Sequence, residues 1–195
     1  MLLAGHTHGG QIRIPFMPPV KPTGAGRFLE GWYRDTPAPL YVSRGELHAV
    51  FTRRREDLRR HPGEISFPGG RQDPEDANLC ATALREAEEE IGLAPDGVEL
   101  VGALQPTPTI ATNYAVYPFV GLIEPGHEWQ PSANEVAEVM EVPLRALRDG
   151  YERRRLLRRG VPFRTDVYVI GEDVIWGATA RMVGDLLERL ADDLA

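Results

Sequence analysis

The sequence predicts an α/β fold in which helices pack on a mixed sheet, preceded by a poorly structured N-terminal arm. Residues 77–91 are rich in Ala, Leu and Glu, which favours a helix. Short runs of β-type residues lie on both sides of that helix. Residues 178–194 carry apolar side chains at helical spacing and predict a closing amphipathic helix. Because strands and helices do not alternate regularly, a mixed sheet is favoured over a purely parallel one.

Composition excludes several classes of protein. The 195 residues are 42% hydrophobic and 26% charged, which is typical of a globular chain. No apolar run approaches the ~20 residues of a membrane helix, and the first residues lack the pattern of a secretory signal. The net charge of −7 argues against a nucleic-acid-binding protein. A single cysteine, Cys80, excludes an internal disulfide, so we expect a cytoplasmic protein.

The first 44 residues differ in composition from the rest. They hold five basic and two acidic residues, and twelve glycines and prolines. Residues 2–5 (LLAG) form a candidate short strand, but six prolines interrupt the remainder. We therefore expect an arm at 1–38, dispensable up to residue 36, and a folded domain at 39–195.

The arm also carries the pattern GHTHGGQI at residues 5–12, with LYVSRG at 40–45. Together they resemble the C-terminal end of calcineurin-like metallophosphoesterases, in which the two motif histidines help bind a two-metal centre. Here those residues are His6 and His8. The other ligand motifs of that family do not occur in this chain, so the resemblance implies a non-functional remnant.

The domain is predicted element by element. Residues 46–52 form a strand, with 40–43 pairing to it as a hairpin. A helix-start signal at 73–76 precedes the 77–91 helix, and Gly92 lies at its stop position. The elements predicted after Gly92 are strands at 98–103, 114–123 and 136–142, a helix at 144–157, a hairpin at 166–170 and 174–175, and the closing helix.

Three carboxylates share one face of the 77–91 helix. At about 100° per residue, Glu86, Glu89 and Glu90 lie away from the apolar stripe of Cys80, Leu84, Ala87 and Ile91. Glu86 and Glu90 repel each other at i, i+4, and the helix dipole disfavours anions at this end. A divalent cation would relieve both effects, and oxygen ligands favour Mg²⁺ or Mn²⁺. Arg85 lies four residues before Glu89 and can orient it.

The segment REAEEEIGL at 85–93, with Gly70 before it, resembles the Nudix box GX5EX7REUXEEXGU. The second half matches in full. The first half contains one extra residue, and Asp76 or Ala77 stands where the box has its early Glu, which usually has a structural role. The resemblance implies a Nudix-type α/β/α sandwich.

A second pattern resembles the box LLTxR[SA]x3Rx3Gx3FPGG of coenzyme A pyrophosphatases. Thr52, Arg54, Arg59, Gly63 and the sequence FPGG at 67–70 match, while Arg55 replaces a small residue. The extra residue in the Nudix box and the sequence IWGATAR at 175–181 also fit this subfamily. Arginine suits phosphate because its charge is permanent and its donors are paired.

The two resemblances imply a metal-dependent enzyme that hydrolyses the diphosphate bond of coenzyme A to 3′,5′-ADP and 4′-phosphopantetheine. The implied roles fall in three groups. The metal ligands are Glu86, Glu89 and Glu90, and the catalytic residues are Glu89, Glu90 and Arg85. The substrate-binding residues are Arg54, Arg59, Phe67, Gly69 and Gly70. The partner is a small nucleotide substrate, without nucleic acid or membrane.

Several points stay open at this stage. The general base is Glu89, Glu90, or a loop acid, with Glu135 and Glu138 as candidates. Another nucleoside diphosphate compound, such as ADP-ribose or NADH, is the nearest alternative substrate. A non-catalytic nucleotide-binding Nudix module is a second alternative, and a metallophosphoesterase is a third. Oligomeric state is open, with a homodimer among the options.

Overall fold

A computed structural model of the chain describes residues 2–5, 47–109, 115–158, 160–191 and 194. The elements follow in this order: β1 (Leu2–Gly5), β2 (His48–Arg54), β3 (Ile65–Ser66), α1 (Leu79–Ile91), a 3₁₀ turn (Pro95–Gly97), β4 (Glu99–Ala103), β5 (Thr107–Pro108), β6 (Ala115–Val116), β7 (Phe119–Leu122), β8 (Val136–Pro143), α2 (Leu144–Asp149), β9 (Tyr151–Arg158), β10 (Val161–Ile170), β11 (Asp173–Ile175) and α3 (Gly177–Arg189).

The main sheet contains six strands and is mixed, as predicted. β2 pairs antiparallel with β8 and with the short strand β3. β1 runs parallel to β2 and antiparallel to β7, and β7 is antiparallel to β4. A separate three-stranded sheet holds β9, β10 and β11, and β5 pairs with β6.

Helices cover both faces of the main sheet. Neighbouring residues of β2 point to opposite faces, as a strand requires. Phe51 packs into the large core with α2 and α3, through residues such as Leu147 and Leu186. Val50 packs on the other face against Ala87 and Ile91 of α1. The result is the three-layer sandwich that the sequence implied. In the described residues, no helix is long and apolar enough to cross a membrane.

Helix α1 confirms the strongest sequence prediction. It begins after Asn78, whose side-chain oxygen accepts a hydrogen bond from the Ala81 N–H at 3.0 Å. It ends at Gly92, which takes the left-handed conformation with φ of 72° and donates to the Glu88 carbonyl at 2.9 Å. Both ends are therefore fixed, and the face that carries the carboxylates has a defined direction.

The predicted helix at 144–157 is wrong beyond its first turns. Helix α2 stops at Asp149, and the arginine-rich segment that follows is strand β9, paired along its length with β10. Arg and Leu favour helices in isolation, but pairing with β10 overrides that preference. Gly150 marks the change, because a Cβ atom there would overlap the Val169 carbonyl.

Other predicted boundaries shift by smaller amounts. The predicted strand at 114–123 is divided into β6 and β7, with Tyr117 and Pro118 between them. Pro118 has no N–H for a ladder, although its carbonyl accepts from Leu104 N at 3.0 Å. The predicted strand at 40–43 and the motif histidines His6 and His8 lie outside the described residues.

Strand β1 comes from the segment that the sequence assigned to the arm. Leu3 lies opposite Val50 on β2 and opposite Gly121 on β7, so β1 joins the two halves of the main sheet. The boundary at residue 38 stays a prediction, because 6–46 lie outside the described part. The sequence predicted that residues up to 36 are dispensable. The position of β1 within the main sheet predicts instead that removal of the first five residues is harmful.

We expect removal of residues 1–5 to destabilise the domain severely. Without β1, the facing edges of β2 and β7 lose their ladder partner, and unpaired strand edges promote aggregation. Soluble yield and melting temperature measure the effect. Deletion of residues 12–30, which keeps β1, is the control and should change the melting temperature little. An unchanged melting temperature after removal of 1–5 would show that β1 is not needed in the sheet.

Candidate active site

The glycine-rich loop after β3 lies directly against helix α1. The Gly69 N–H donates to the Glu90 carboxylate at 3.1 Å, and Gly69 has a φ of 146°, which side chains rarely adopt. A Cβ atom at Gly70 would overlap the Glu86 carboxylate. Gly69 is thus favoured by its backbone conformation, and Gly70 by the close approach of the backbone to the Glu86 carboxylate.

Phe67, just before the two glycines, packs into the protein core. It is fully buried and stacks on Phe51, with ring centroids 4.6 Å apart. The sequence placed Phe67 among the substrate-binding residues. That role stays a prediction, and the burial of Phe67 shows that it also packs in the core, two residues before Gly69.

Two of the three helix carboxylates point into the protein and one points out. Glu90 is 7% exposed and Glu86 has a side chain 18% exposed, whereas the Glu89 side chain is 60% exposed. Burial raises the pKa of Glu90 to about 7 against the opposing effect of the Gly69 hydrogen bond, and the charges of Glu86 and Glu135 add to the rise. Burial also raises the pKa of Glu86, while Arg85 opposes that rise.

Arg85 holds the acids of this region in place. Its guanidinium binds both oxygens of Asp76, at 3.0 and 3.1 Å, and also contacts Glu86 and Glu89 at 3.1 Å each. The predicted Arg85–Glu89 contact is therefore confirmed. Arg85 contacts carboxylates on several sides, which makes it an orienting residue.

Asp76 is a residue of the site. The sequence did not decide whether Asp76 or Ala77 takes the position of the early Glu in the Nudix box. Its side chain is 7% exposed, and the Arg85 guanidinium lowers its pKa to about 2. It therefore stays ionised and fixes Arg85. The only sequence signal was its position near the early Glu of the Nudix box.

The structure distinguishes Glu135 from Glu138, the two candidate bases outside the helix between which the sequence could not choose. Glu135 lies on a loop, and Glu138 lies on β8. The Glu135 carboxylate lies 3.6 Å from the Arg54 guanidinium, and its charge helps raise the pKa of both Glu86 and Glu90. Glu138 instead pairs with Arg53 at 3.1 Å, beside the Arg53–Asp173 ion pair. Glu135 thus belongs to the acidic cluster, while Glu138 is part of an ion network.

The two predicted phosphate-binding arginines also differ. Arg54 lies close enough to the cluster to lower the pKa of Glu90. Arg59 is exposed, and it makes no hydrogen bond or ion pair within the part of the chain that the structure describes. The structure brings Arg54, Gly69 and Gly70 together with Glu86, Glu90 and Glu135, and leaves Arg59 and Glu89 at the outside.

The donor set fits a divalent cation. Within the described ranges, no three acidic, His or Cys side chains already converge as a metal-binding group. However, the buried Glu90, the half-buried Glu86 and the neighbouring Glu135 have Arg54 and Arg85 as their nearby cations. Carboxylate oxygens are the ligands that Mg²⁺ and Mn²⁺ prefer, so Glu86 and Glu90 are the residues best placed to hold one.

The raised pKa of Glu90 predicts how stability depends on pH without metal. Because its folded-state pKa of about 7 exceeds the ordinary 4.5, the folded protein keeps a proton that the unfolded chain loses. Stability should therefore fall as the pH rises from about 4.5 to about 7. Glu90→Gln should remove this dependence and stabilise the protein at pH 8 by up to about 3 kcal/mol, at about 1.4 kcal/mol per pKa unit.

Urea unfolding in a chelator, at pH 5 and pH 8, measures this effect. Glu88→Gln is the matched control, because Glu88 is exposed on the same helix. Equal unfolding free energies for Glu90→Gln and the unaltered chain at pH 8 would contradict the raised pKa.

Comparisons with known proteins identify the family of the chain. The model of the NUDIX domain family matches residues 34–160. The chain is 40% identical over 147 residues to a Citrobacter koseri protein named uncharacterized Nudix hydrolase NudL, which covers 74% of this chain and 76% of that protein. A Cronobacter sakazakii protein of the same name is 39% identical over 153 residues, covering 77% of this chain and 79% of its own length.

A solved structure is also similar, the NUDIX domain of Shewanella oneidensis NrtR complexed with ADP ribose. It is 17% identical, with a TM-score of 0.49 over 76% of this chain and 80% of that one. The family model covers more than half of the chain, and the NudL proteins align over about three quarters of it. The chain therefore belongs to the Nudix hydrolase family.

Proposed function

We propose that this Nudix hydrolase cleaves the diphosphate bond of coenzyme A or a derivative, giving 3′,5′-ADP and 4′-phosphopantetheine. One observation carries the proposal: the segment that resembles the coenzyme A box folds onto the acids of the Nudix helix. Gly69 bonds Glu90, Gly70 contacts Glu86, and Arg54 lies beside Glu135. This proximity supports a single site that contains both the residues implied for substrate binding and those implied for catalysis.

Nudix hydrolases generally need a divalent metal such as Mg²⁺ or Mn²⁺. When bound by Glu86 and Glu90, the metal would neutralise diphosphate charge and lower the pKa of a coordinated water. The chain's own residues supply the rest. Gly69 holds the Glu90 carboxylate by its N–H, and Arg85 holds Glu86 by one contact at 3.1 Å. These contacts fix the direction of the two carboxylates before substrate arrives.

Glu135 is the acid best placed to take a proton from the attacking water. It lies on a loop, outside the helix, and its charge reaches both Glu86 and Glu90. Glu89 pairs with Arg85 and Glu138 pairs with Arg53, each at 3.1 Å, whereas Glu135 lies 3.6 Å from Arg54 and is less tightly engaged. Glu90 stays an alternative base, since a carboxyl with a pKa of about 7 exchanges protons near neutral pH.

Arg54 is positioned to bind a phosphate. Its side chain is 28% exposed and its nearest described carboxylate, Glu135, is 3.6 Å away, too far for a tight ion pair. The guanidinium therefore keeps donors available for an incoming phosphate oxygen. We assign Arg59 the same class of ligand on the strength of the coenzyme A box alone.

A substrate panel with Mg²⁺ tests the function. We expect coenzyme A to give the highest kcat/KM among coenzyme A, ADP-ribose, NADH and a phosphomonoester. Preference for ADP-ribose or NADH would identify the neighbouring Nudix activity. Hydrolysis of none of them, with binding retained, would identify a non-catalytic nucleotide-binding module.

Glu86→Gln should abolish most turnover and leave the fold intact. Removal of one carboxylate charge weakens metal binding, and it also relieves repulsion with Glu90. Turnover at saturating Mg²⁺ and the melting temperature without metal are the two measurements, with Glu88→Gln as the control. Rates near those of the unaltered enzyme would remove Glu86 from the metal site.

Glu135→Gln should lower kcat by roughly 10²–10⁴-fold, the usual contribution of a general base. Glu138→Gln is its matched control. Glu138 lies in β8, three residues after Glu135, and its substitution should leave kcat nearly unchanged. Loss of the exposed Arg53–Glu138 pair should cost only about 0.2–1 kcal/mol of stability. A larger kcat effect at Glu138 than at Glu135 would reverse the assignment.

Arg54→Ala should impair coenzyme A more than NADH, which lacks the 3′-phosphate. A charge-assisted phosphate contact is worth ~1.5–3 kcal/mol, so we expect a roughly tenfold to hundredfold loss in kcat/KM for coenzyme A. Arg59→Ala tests the same role at the second arginine. Equal losses on both substrates would show that neither residue recognises the coenzyme A moiety.

A further inference from the structure

The turn that carries Glu135 is held between two elements of the site. At one end, the Ser132 N–H donates to the Glu90 carbonyl at 2.9 Å, and the neighbouring Gln130 N–H donates to the Ile91 carbonyl at 3.0 Å. These bonds fix the start of the turn to the C-terminal end of α1. Glu135 lies three residues beyond Ser132, whose carbonyl accepts from the Glu135 N–H at 3.1 Å and from the Val136 N–H at 2.9 Å.

Arg55, directly after the end of β2, also holds this turn, through both its backbone and its side chain. Its N–H donates to the Glu135 carbonyl at 3.0 Å, just after β2 shifts register against β8 at Arg54. Its guanidinium donates to the Ala133 carbonyl. A single residue therefore contacts the turn on both sides of Asn134.

The guanidinium of Arg55 is itself fixed. Asp57 accepts two parallel hydrogen bonds from it, at 2.9 and 2.7 Å, in the paired geometry that suits a planar guanidinium. This pairing orients the Arg55 guanidinium so that its third nitrogen is directed at the turn. This position is the one that the coenzyme A box fills with Ser or Ala.

We propose that Arg55 is a positioning residue that clamps the 132–136 turn and so sets where the Glu135 carboxylate lies relative to Glu86 and Glu90. Arg55 acts through Glu135, and it need not touch substrate. Its effect on catalysis rests on the proposed function, whereas its effect on the turn does not. A chain with Ser at position 55 would keep the backbone bond and lose the side-chain clamp.

Arg55→Ser and Arg60→Ser form the matched pair for a test. Arg60 lies in the same loop, is exposed, and makes no hydrogen bond or ion pair with the residues that the structure describes. Hydrogen–deuterium exchange is the first measurement. Amides at 132–136 should exchange several-fold faster in Arg55→Ser and at the unaltered rate in Arg60→Ser.

Kinetics are the second measurement. Arg55→Ser should lower kcat by about tenfold to hundredfold with little change in KM, because a misplacement of ~1 Å can cost about 10²-fold. The same substitution in a Glu135→Gln background should have almost no further effect, since residues that act as a unit are non-additive.

Each outcome decides a separate point. Unchanged exchange at 132–136 in Arg55→Ser overturns the clamp. A kcat loss that persists in full without the Glu135 carboxylate overturns the route through Glu135. If the unaltered chain hydrolyses no diphosphate compound, the proposed function fails, and the exchange measurement still decides the clamp.

Discussion

The site depends on one buried carboxylate held by one backbone N–H. Glu90 is 7% exposed, and the Gly69 N–H is its hydrogen-bond donor among the described residues. A buried carboxylate is costly unless it is paired, and the nearby acids Glu86 and Glu135 make its ionised form costlier. The protein tolerates this only because the glycine loop fits closely over α1, with Phe67 packed beneath it. A bound cation would convert the same repulsion into binding energy.

The pKa values of Asp76 and Glu90 are shifted in opposite directions, although the two carboxyl groups lie in one short stretch of chain. Arg85 binds Asp76 through two hydrogen bonds and lowers its pKa to about 2. Glu90 lies five residues beyond Arg85 and has no such bond among the described residues, and burial raises its pKa to about 7. The Arg85 guanidinium therefore keeps Asp76 ionised, whereas burial lets Glu90 titrate near neutral pH. That division is what a metal- and proton-handling site requires.

Local spacing was enough to predict the helix, its glycine stop and the Arg85–Glu89 contact, because these involve residues within one or two turns. It could not choose between Glu135 and Glu138, since that choice depends on Arg53 and Arg54 diverging at the register shift in β2. The sequence gives little indication that β1 belongs to the sheet, because four apolar residues before a proline-rich segment are a weak strand signal. Arg and Leu favour a helix over residues 144–157, and only the pairing of β9 with β10 shows that the helix stops at Asp149.

The position of the loop acid Glu135 depends on tertiary structure, whereas the spacing of the helix acids Glu86 and Glu90 does not. Glu86 and Glu90 keep their spacing as long as α1 exists, because the helix fixes it. Glu135 reaches them only through a turn tied to the end of α1 by Ser132 and to the end of β2 by Arg55. β2 in turn lies between β8 and β1 in the main sheet. A disturbance of the sheet centre would therefore displace Glu135 before it altered the helix acids, so loss of turnover should precede loss of metal binding as the sheet is weakened.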